Sequence, residues 1–369
     1  MGPRERLLAT MRGRAHDRVP IVLEGFLYRR REEIDALADE ARREIARRVL
    51  EHSHYWLHAA TSVNRYLVTP RQFIRRVSQV ERDGEVEVTS EIDTPKGVLT
   101  AVTGRNPATE TTWTKKYPCE TLADIERIRS VPWERPEGLA AADARDRPAD
   151  FAQRGVRRAG VSSPFVCVAG MMPYEMFLEL CATHLELIRE LTDLCLRRIL
   201  DVLDVVLAGG NVEYVWMGGC EWVTPPMASP RVYEALVQEQ ERAIIERVHQ
   251  AGAIAHVHCH GNVRGTLERV VRRGADFFEP VEPPPDGDIT MAEAKALAAG
   301  RMTLGGNVEA RVLENDAPAA AEAATRAAFE GDNRRFVLRT SAGPIGRVTN
   351  RTRENYHRMI DVWEELSAL

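Results

Sequence analysis

Three histidines fall within five residues at His256-Val257-His258-Cys259-His260, and Glu282 stands 22 residues after His260. The stretch from Ala253 to Asp288 reads as strand, polar loop, helix, strand and polar loop. The apolar Ala253-Ile254-Ala255 enters the first strand, and a helix from Val263 to Arg273 closes on Gly274. A second strand, Asp276-Phe277-Phe278, delivers Glu279 and Glu282 into Pro283-Pro284-Pro285. Two neighbouring parallel strands then present imidazoles and carboxylates at their C-terminal ends, where α/β proteins place ligands. Alternate residues of a strand end face the same way, so His258 and His260 can reach one ion. With Glu282 they form a set of two nitrogens and one oxygen, which suits a catalytic Zn²⁺ that keeps an open position. In the plainer alternative the two histidines hydrogen-bond a substrate anion or each other. Glu279 reads as a helix-facing or solvated carboxylate. The prolines fix the backbone of Glu282, as a site residue requires, although they also suit a simple strand-to-helix turn.

Other strand ends supply the remaining candidates. Glu221, in Gly219-Cys220-Glu221-Trp222, is a general base, a substrate anchor or a fourth ligand, against the reading of a solvated loop acid. Asn307 places an amide in the cavity or merely holds a tight turn. Glu24, Trp222 and Tyr174 are candidates for substrate contact, and Thr340-Ser341 ends the last strand. Cys259 alternates away from its histidine neighbours and reads as packed. His52, His54 and His58 read as surface or core partners.

The elements that position these groups follow a rhythm of strand, loop, helix and glycine. Strands centre near residues 21, 56, 166, 214, 255, 277, 303 and 337, the one near 166 being Phe165-Val166-Cys167-Val168. Eight such units predict a (β/α)8 TIM barrel, with an open doubly wound sheet as the alternative. No Gly-x-Gly-x-x-Gly follows the first strand, which argues against dinucleotide binding. Alternating valines and Asp83-Gly84 predict a β-meander inserted in the N-terminal half, at about 74–115, within a single domain spanning 1–369. A long helical region over 175–207 is expected to break near Thr192. Ser229-Pro230 and Thr290-x-x-Glu293 mark helix starts.

The chain has 369 residues, is 44% hydrophobic and carries a net charge of -5. That charge gives no basic footprint for nucleic acid. No apolar run approaches the roughly 20 residues of a membrane-spanning helix. The start, MGPRERLLAT, lacks the apolar segment of a signal peptide, so a cytoplasmic protein is expected. Six scattered cysteines without a Cys-x-x-Cys pair argue against a disulfide framework and a four-thiolate zinc site.

The run from His258 to Asn262, then Glu282-Pro-Pro-Pro-Asp-Gly-Asp288, then Gly305-Gly306-Asn307-Val308-Glu309, resembles the uroporphyrinogen decarboxylase superfamily. Gly219-x-Glu221 followed by Pro225-Pro226-x-x-Ser229-Pro230 fits as well. The likeness is strongest from about residue 160 onward and implies a (β/α)8 barrel. True uroporphyrinogen decarboxylases carry an Arg-Gln-Ala-Gly-Arg loop after the first strand. Here Leu23-Glu24-Gly25-Phe26-Leu27-Tyr28 puts an acid there, which would repel a polyanionic porphyrinogen. The other branch comprises zinc-dependent methyltransferases that move a methyl group from a corrinoid or similar donor to a thiol. By that resemblance His258 takes the family's His place, His260 its first Cys place and Glu282 its Glu place. The distal Cys place falls near Thr340-Ser341-Ala342-Gly343, where no cysteine stands. Fewer thiolates leave the metal open among Zn²⁺, Fe²⁺, Co²⁺ and Mn²⁺. The resemblance implies a metal-dependent methyltransferase of a small substrate, partnered by a corrinoid protein and monomeric or homodimeric. A decarboxylase or lyase acting on a small acid is the second reading, and a corrinoid- or ligand-binding module the third.

Overall fold

Alternation along the strands decides which side chains fill the barrel and which meet the helices outside it. In a computed structural model, which describes all residues except 60–63, 107–110, 144, 146 and 345, eight strands form one curled parallel sheet. They are β1 (Ile21–Val22), β2 (Tyr55–His58), β7 (Gly155–Ser162), β8 (Tyr214–Gly218), β9 (Ile254–His258), β10 (Phe277–Val281), β11 (Thr303–Val308) and β12 (Phe336–Thr340). The order runs from β1 through β12, β11, β10, β9, β8 and β7 to β2, the neighbour sequence of a (β/α)8 barrel. Only the seam between β1 and β2 lacks a ladder among the described residues. Leu27 packs against the interior there. Arg154 donates to the carbonyls of Tyr28, Arg29 and Ser53, so a tethered loop lies where a ladder would close the wall.

The predicted insertion is a four-stranded antiparallel sheet of β3 (Ile74–Arg82), β4 (Glu85–Ile92), β5 (Leu99–Asn106) and β6 (Thr111–Lys116). Asp83 and Gly84 both have positive φ, as a tight two-residue hairpin turn requires.

Two expectations are corrected. The strand expected at Phe165–Val168 lies earlier, at Gly155–Ser162, and Pro164–Ala169 is a wholly buried helix. A short apolar run does not separate a buried strand from a buried helix, and Pro164 at the first helical position favours the helix. Arg157 and Arg158 disguised the true strand. The long helical region breaks at His184 (φ -136°), not near Thr192, whose hydroxyl donates to Ile188 O at 2.8 Å within the helix over 185–207. The capping predictions at Ser229 and Thr290 hold: each side chain accepts the backbone N–H three residues on.

The helix α1 (Pro3–Met11) plugs the N-terminal end of the barrel. Leu7, Leu8 and Met11 form one cluster with Val22, Val156, Tyr214, Ile254, Phe277 and Val337, which project inward from six strands. Thr303 on β11 donates its hydroxyl to Thr10 O at 2.8 Å and fixes the plug's depth. Leu7→Ala should cost about 2–5 kcal/mol, read as a lower urea midpoint. An unchanged midpoint would show that α1 does not pack as a plug.

Candidate functional site

Above the apolar plug the inward-facing side chains turn polar. Trp216, His256 and Phe277 are in register on β8, β9 and β10, and one step further come Gly218, His258 and Glu279. Glu279 is therefore not the solvated carboxylate that its sequence context suggests. It is 2% exposed and sits in the barrel wall. Its Oε1 lies 2.8 Å from His258 Nδ1 and 2.9 Å from His256 Nε2, and its Oε2 lies 3.6 Å from Arg339. The His256 Nε2 contact is poorly aligned, and the Nδ1 of that ring hydrogen-bonds the Tyr214 hydroxyl.

Arg339, on β12, reaches Glu279 by crossing β11 at Gly305. A Cβ on Gly305 would lie 2.6 Å from the Phe277 ring, 2.8 Å from Glu279 Cβ and 2.9 Å from Arg339 Cδ. Glycine is what leaves the passage open. Arg339 also donates to Glu24 Oε1 at 2.9 Å, so the predicted substrate contact Glu24 holds an interior cation. Burial pushes the Glu279 carboxyl up. Arg339, His258 and the contacts with both histidines outweigh that and hold it well below the usual carboxylate range. Burial, reinforced by Arg339 and His258 against the pull of Glu279, brings His256 down to about 3, so its ring is neutral.

His258 and His260 project to the barrel mouth with ring centroids 4.6 Å apart and planes at 85°. His260 Nδ1 lies 2.7 Å from Glu282 Oε1, and Glu282 Oε2 accepts the Gly261 N–H. Burial lowers the His260 pKa, but its bond to Glu282 and the charges of Glu282, Glu279 and Glu221 outweigh it and raise the value. Each imidazole is thus held through Nδ1 by a carboxylate, and no described group engages either Nε2. This is how proteins commonly present imidazoles to a metal. The three predicted ligands do lie together. Even so, both Glu282 oxygens are committed to His260 and Gly261, and among the described residues no three His, Cys, Asp or Glu side chains converge to hold an ion. As placed, the donor set is two nitrogens backed by two carboxylates.

The other candidates divide between two cavities. Glu221, Trp222 and Tyr174 line one of about 380 Å³ with Tyr117 and Met227. The Tyr174 hydroxyl donates to the Trp222 carbonyl, and Glu221 Oε2 is buried without a partner among the described residues. Asn307 instead lines a cavity of about 220 Å³ with Pro283, Pro284 and Glu309, and its amide donates to Glu309. Burial and the charges of Glu282 and Asp286 raise the Glu309 pKa against the hydrogen bonds from Ser341 and Asn307. Cys259 is buried, as alternation predicts. Sequence reasoning missed Arg339, His256, Tyr214 and the role of Glu279. An arginine inside Phe336-Val337-Leu338-Arg339-Thr340 was the available signal, since it shares a face with the inward Val337.

Removing Arg339 leaves two carboxylates without their buried countercharge. Arg339→Met should therefore cost about 3–5 kcal/mol, and Glu279→Gln combined with it should recover part of the loss. Denaturant titrations of equal single and double variants would refute this coupling. The depressed Glu279 carboxyl binds fewer protons than its unfolded form, so its stabilisation is present above about 4.5 and is lost as pH falls through the lower folded value. Acid unfolding of Glu279→Gln should accordingly be less steep.

Comparison with known proteins agrees with this architecture. The model of the uroporphyrinogen decarboxylase (URO-D) family matches residues 107–366, more than half of the chain. A solved methyltransferase from Methanosarcina mazei superposes with a TM-score of 0.60 at 14% identity, covering 99% of each chain, and shares the fold. A B12-independent methionine synthase from Shewanella sp. W3-18-1, in complex with selenomethionine, superposes with a TM-score of 0.41 at 10% identity, over 79% of this chain and 75% of that one. No curated protein matches the sequence. The match over residues 107–366, which hold six of the eight barrel strands, makes this chain a member of the uroporphyrinogen decarboxylase family.

Proposed function

We propose that the chain is a methyltransferase, moving a methyl group from a donor of the corrinoid kind to a small nucleophile at the barrel mouth. The observation that carries this reading is the pair His258 and His260, each anchored at Nδ1 by a carboxylate and each with its Nε2 unengaged among the described residues. A pair held in this way is preorganised to bind a cation or a polarised substrate group. The fold shared with the Methanosarcina mazei methyltransferase supports methyl transfer. The acid at Glu24, already bonded to Arg339, speaks against a polyanionic tetrapyrrole.

His258 and His260 would hold a divalent metal through Nε2, with zinc one of the ions that imidazole donors suit. Bound there, it would supply Lewis acidity that lowers the pKa of a substrate thiol. The rest falls to the protein's own groups. Glu279 and Glu282 fix the ring orientations and keep both Nδ1 atoms as donors. Glu221, whose Oε2 has no partner among the described residues, takes the proton of the nucleophile or orients it. Asn307 hydrogen-bonds substrate through its buried, unpartnered Oδ1. Trp222 and Tyr174 bound the rim above Glu221 and exclude water.

Protein purified without chelators should contain a divalent metal by elemental analysis, and His258→Ala should lose it. Metal content near zero together with unchanged activity of His258→Ala would sink the metal-dependent reading. Release of carbon dioxide from a small acid without any methyl donor would replace methyl transfer by decarboxylation. Glu221→Gln should lower kcat about 10²–10⁴-fold with an unchanged unfolding midpoint, and a wild-type kcat in that variant would remove Glu221 from the reaction.

A further inference from the structure

Arg158 lies on β7, in register with His58 on β2 and Tyr214 on β8, and it faces the barrel interior with Tyr214. Its Cζ sits 5.1 Å from the Trp56 ring centroid and 5.3 Å from that of Trp216, so two indoles flank the guanidinium. The neighbouring arginines are committed. Arg339 binds Glu24 and Glu279, and Arg154 donates to three carbonyls. The Arg158 guanidinium has no carboxylate within 4 Å and no hydrogen-bond partner among the described residues, while its backbone carbonyl accepts from Ala59 N–H. Arg158 is also only half-buried, as are Trp56, Trp216, His258 and Glu24. Trp56 and Trp216 rest on the interior apolar cluster with part of each ring still exposed, so solvent reaches the barrel interior beside Arg158. The Trp216 ring in turn borders the histidine pair, its centroid 5.2 Å from that of the His258 ring.

A guanidinium held by aromatic faces keeps the N–H edges of its fork free, and that fork matches a planar carboxylate in a bidentate manner. The indoles orient the cation by cation–π attraction and offer apolar walls to a ligand body. We infer that these half-exposed inward side chains border a substrate chamber inside the barrel and that Arg158 is its anion subsite. It receives the carboxylate of a small organic acid whose other end lies at His258 and His260. The inference rests on reading this cavity as the substrate chamber of the proposed enzyme, and it names the substrate class as a monocarboxylate with an apolar body.

Benzoate and benzamide, which differ in charge but hardly in shape, test the assignment in the full-length protein by tryptophan fluorescence and calorimetry. Benzoate should bind at least about 10-fold more tightly than benzamide. Arg158→Gln should lose about 10- to 100-fold in benzoate affinity, the range for a charge-assisted bond, and leave benzamide unchanged. His258→Ala should keep the preference for the acid, so a failed metal or methyl-transfer reading leaves this result standing. Equal binding of acid and amide to the wild type would overturn the proposal. So would benzoate affinity unaltered in Arg158→Gln, or inorganic phosphate binding as tightly as benzoate, which would mark a phosphate site. Should circular dichroism show Arg158→Gln unfolded, Arg158→Lys decides. It keeps the charge without the fork and should weaken benzoate several-fold, and no weakening would overturn the assignment.

Discussion

A carboxylate buried in a barrel wall must be paired, because an isolated charge there costs more than a fold of ordinary stability can absorb. Glu279 is that carboxylate, and much of the upper barrel is arranged around it. Arg339 supplies the countercharge from two strands away, Gly305 leaves the path between them, and Glu24 takes the other side of the guanidinium. The histidines of β9 complete the set. Polar contacts of this kind fix the relative positions of strand ends that apolar packing alone would leave free to slide.

The same anchoring makes the mouth of the barrel stiff. His258 is aimed by Glu279 and His260 by Glu282, while Glu282 is itself held by the Gly261 N–H and by a loop of three prolines. Below them, α1 closes the barrel floor with Leu7, Leu8 and Met11. The two imidazole nitrogens therefore meet whatever enters in a geometry set beforehand, with little reorganisation left to the reaction. Glu221 and Asn307 line different cavities. The chemistry is thus placed where several strand ends converge, and no single loop carries it.

Between floor and mouth the interior changes character on one side. Trp56, Arg158 and Trp216 form an aromatic wall around a cation with no acidic partner among the described residues, while the opposite side carries the paired charges of Glu24, Arg339 and Glu279. An asymmetric chamber of this kind orients a ligand. An acid group is drawn to Arg158 and repelled by the paired carboxylates, and an apolar body lies along the indoles.

The sequence alone determined the repeating strand-and-helix pattern, the meander with its Asp83-Gly84 turn, the caps at Ser229 and Thr290, and the closeness of His258, His260 and Glu282. Each rests on local spacing, which a linear chain displays directly. The tertiary structure alone decided which carboxylate does what. Glu279 and Glu282 are three residues apart, and only the register of β10 against β9 puts the first on His258 and inside the wall. Arg339 and Glu24 are 315 positions apart and meet only because β12 lies beside β1. The strand of Arg157 and Arg158 was hidden for a related reason. A charge reads as solvated until the partners that shield it, here two indoles from other strands, are known. Pairing of buried charges is long-range, so it becomes visible only when the barrel curls.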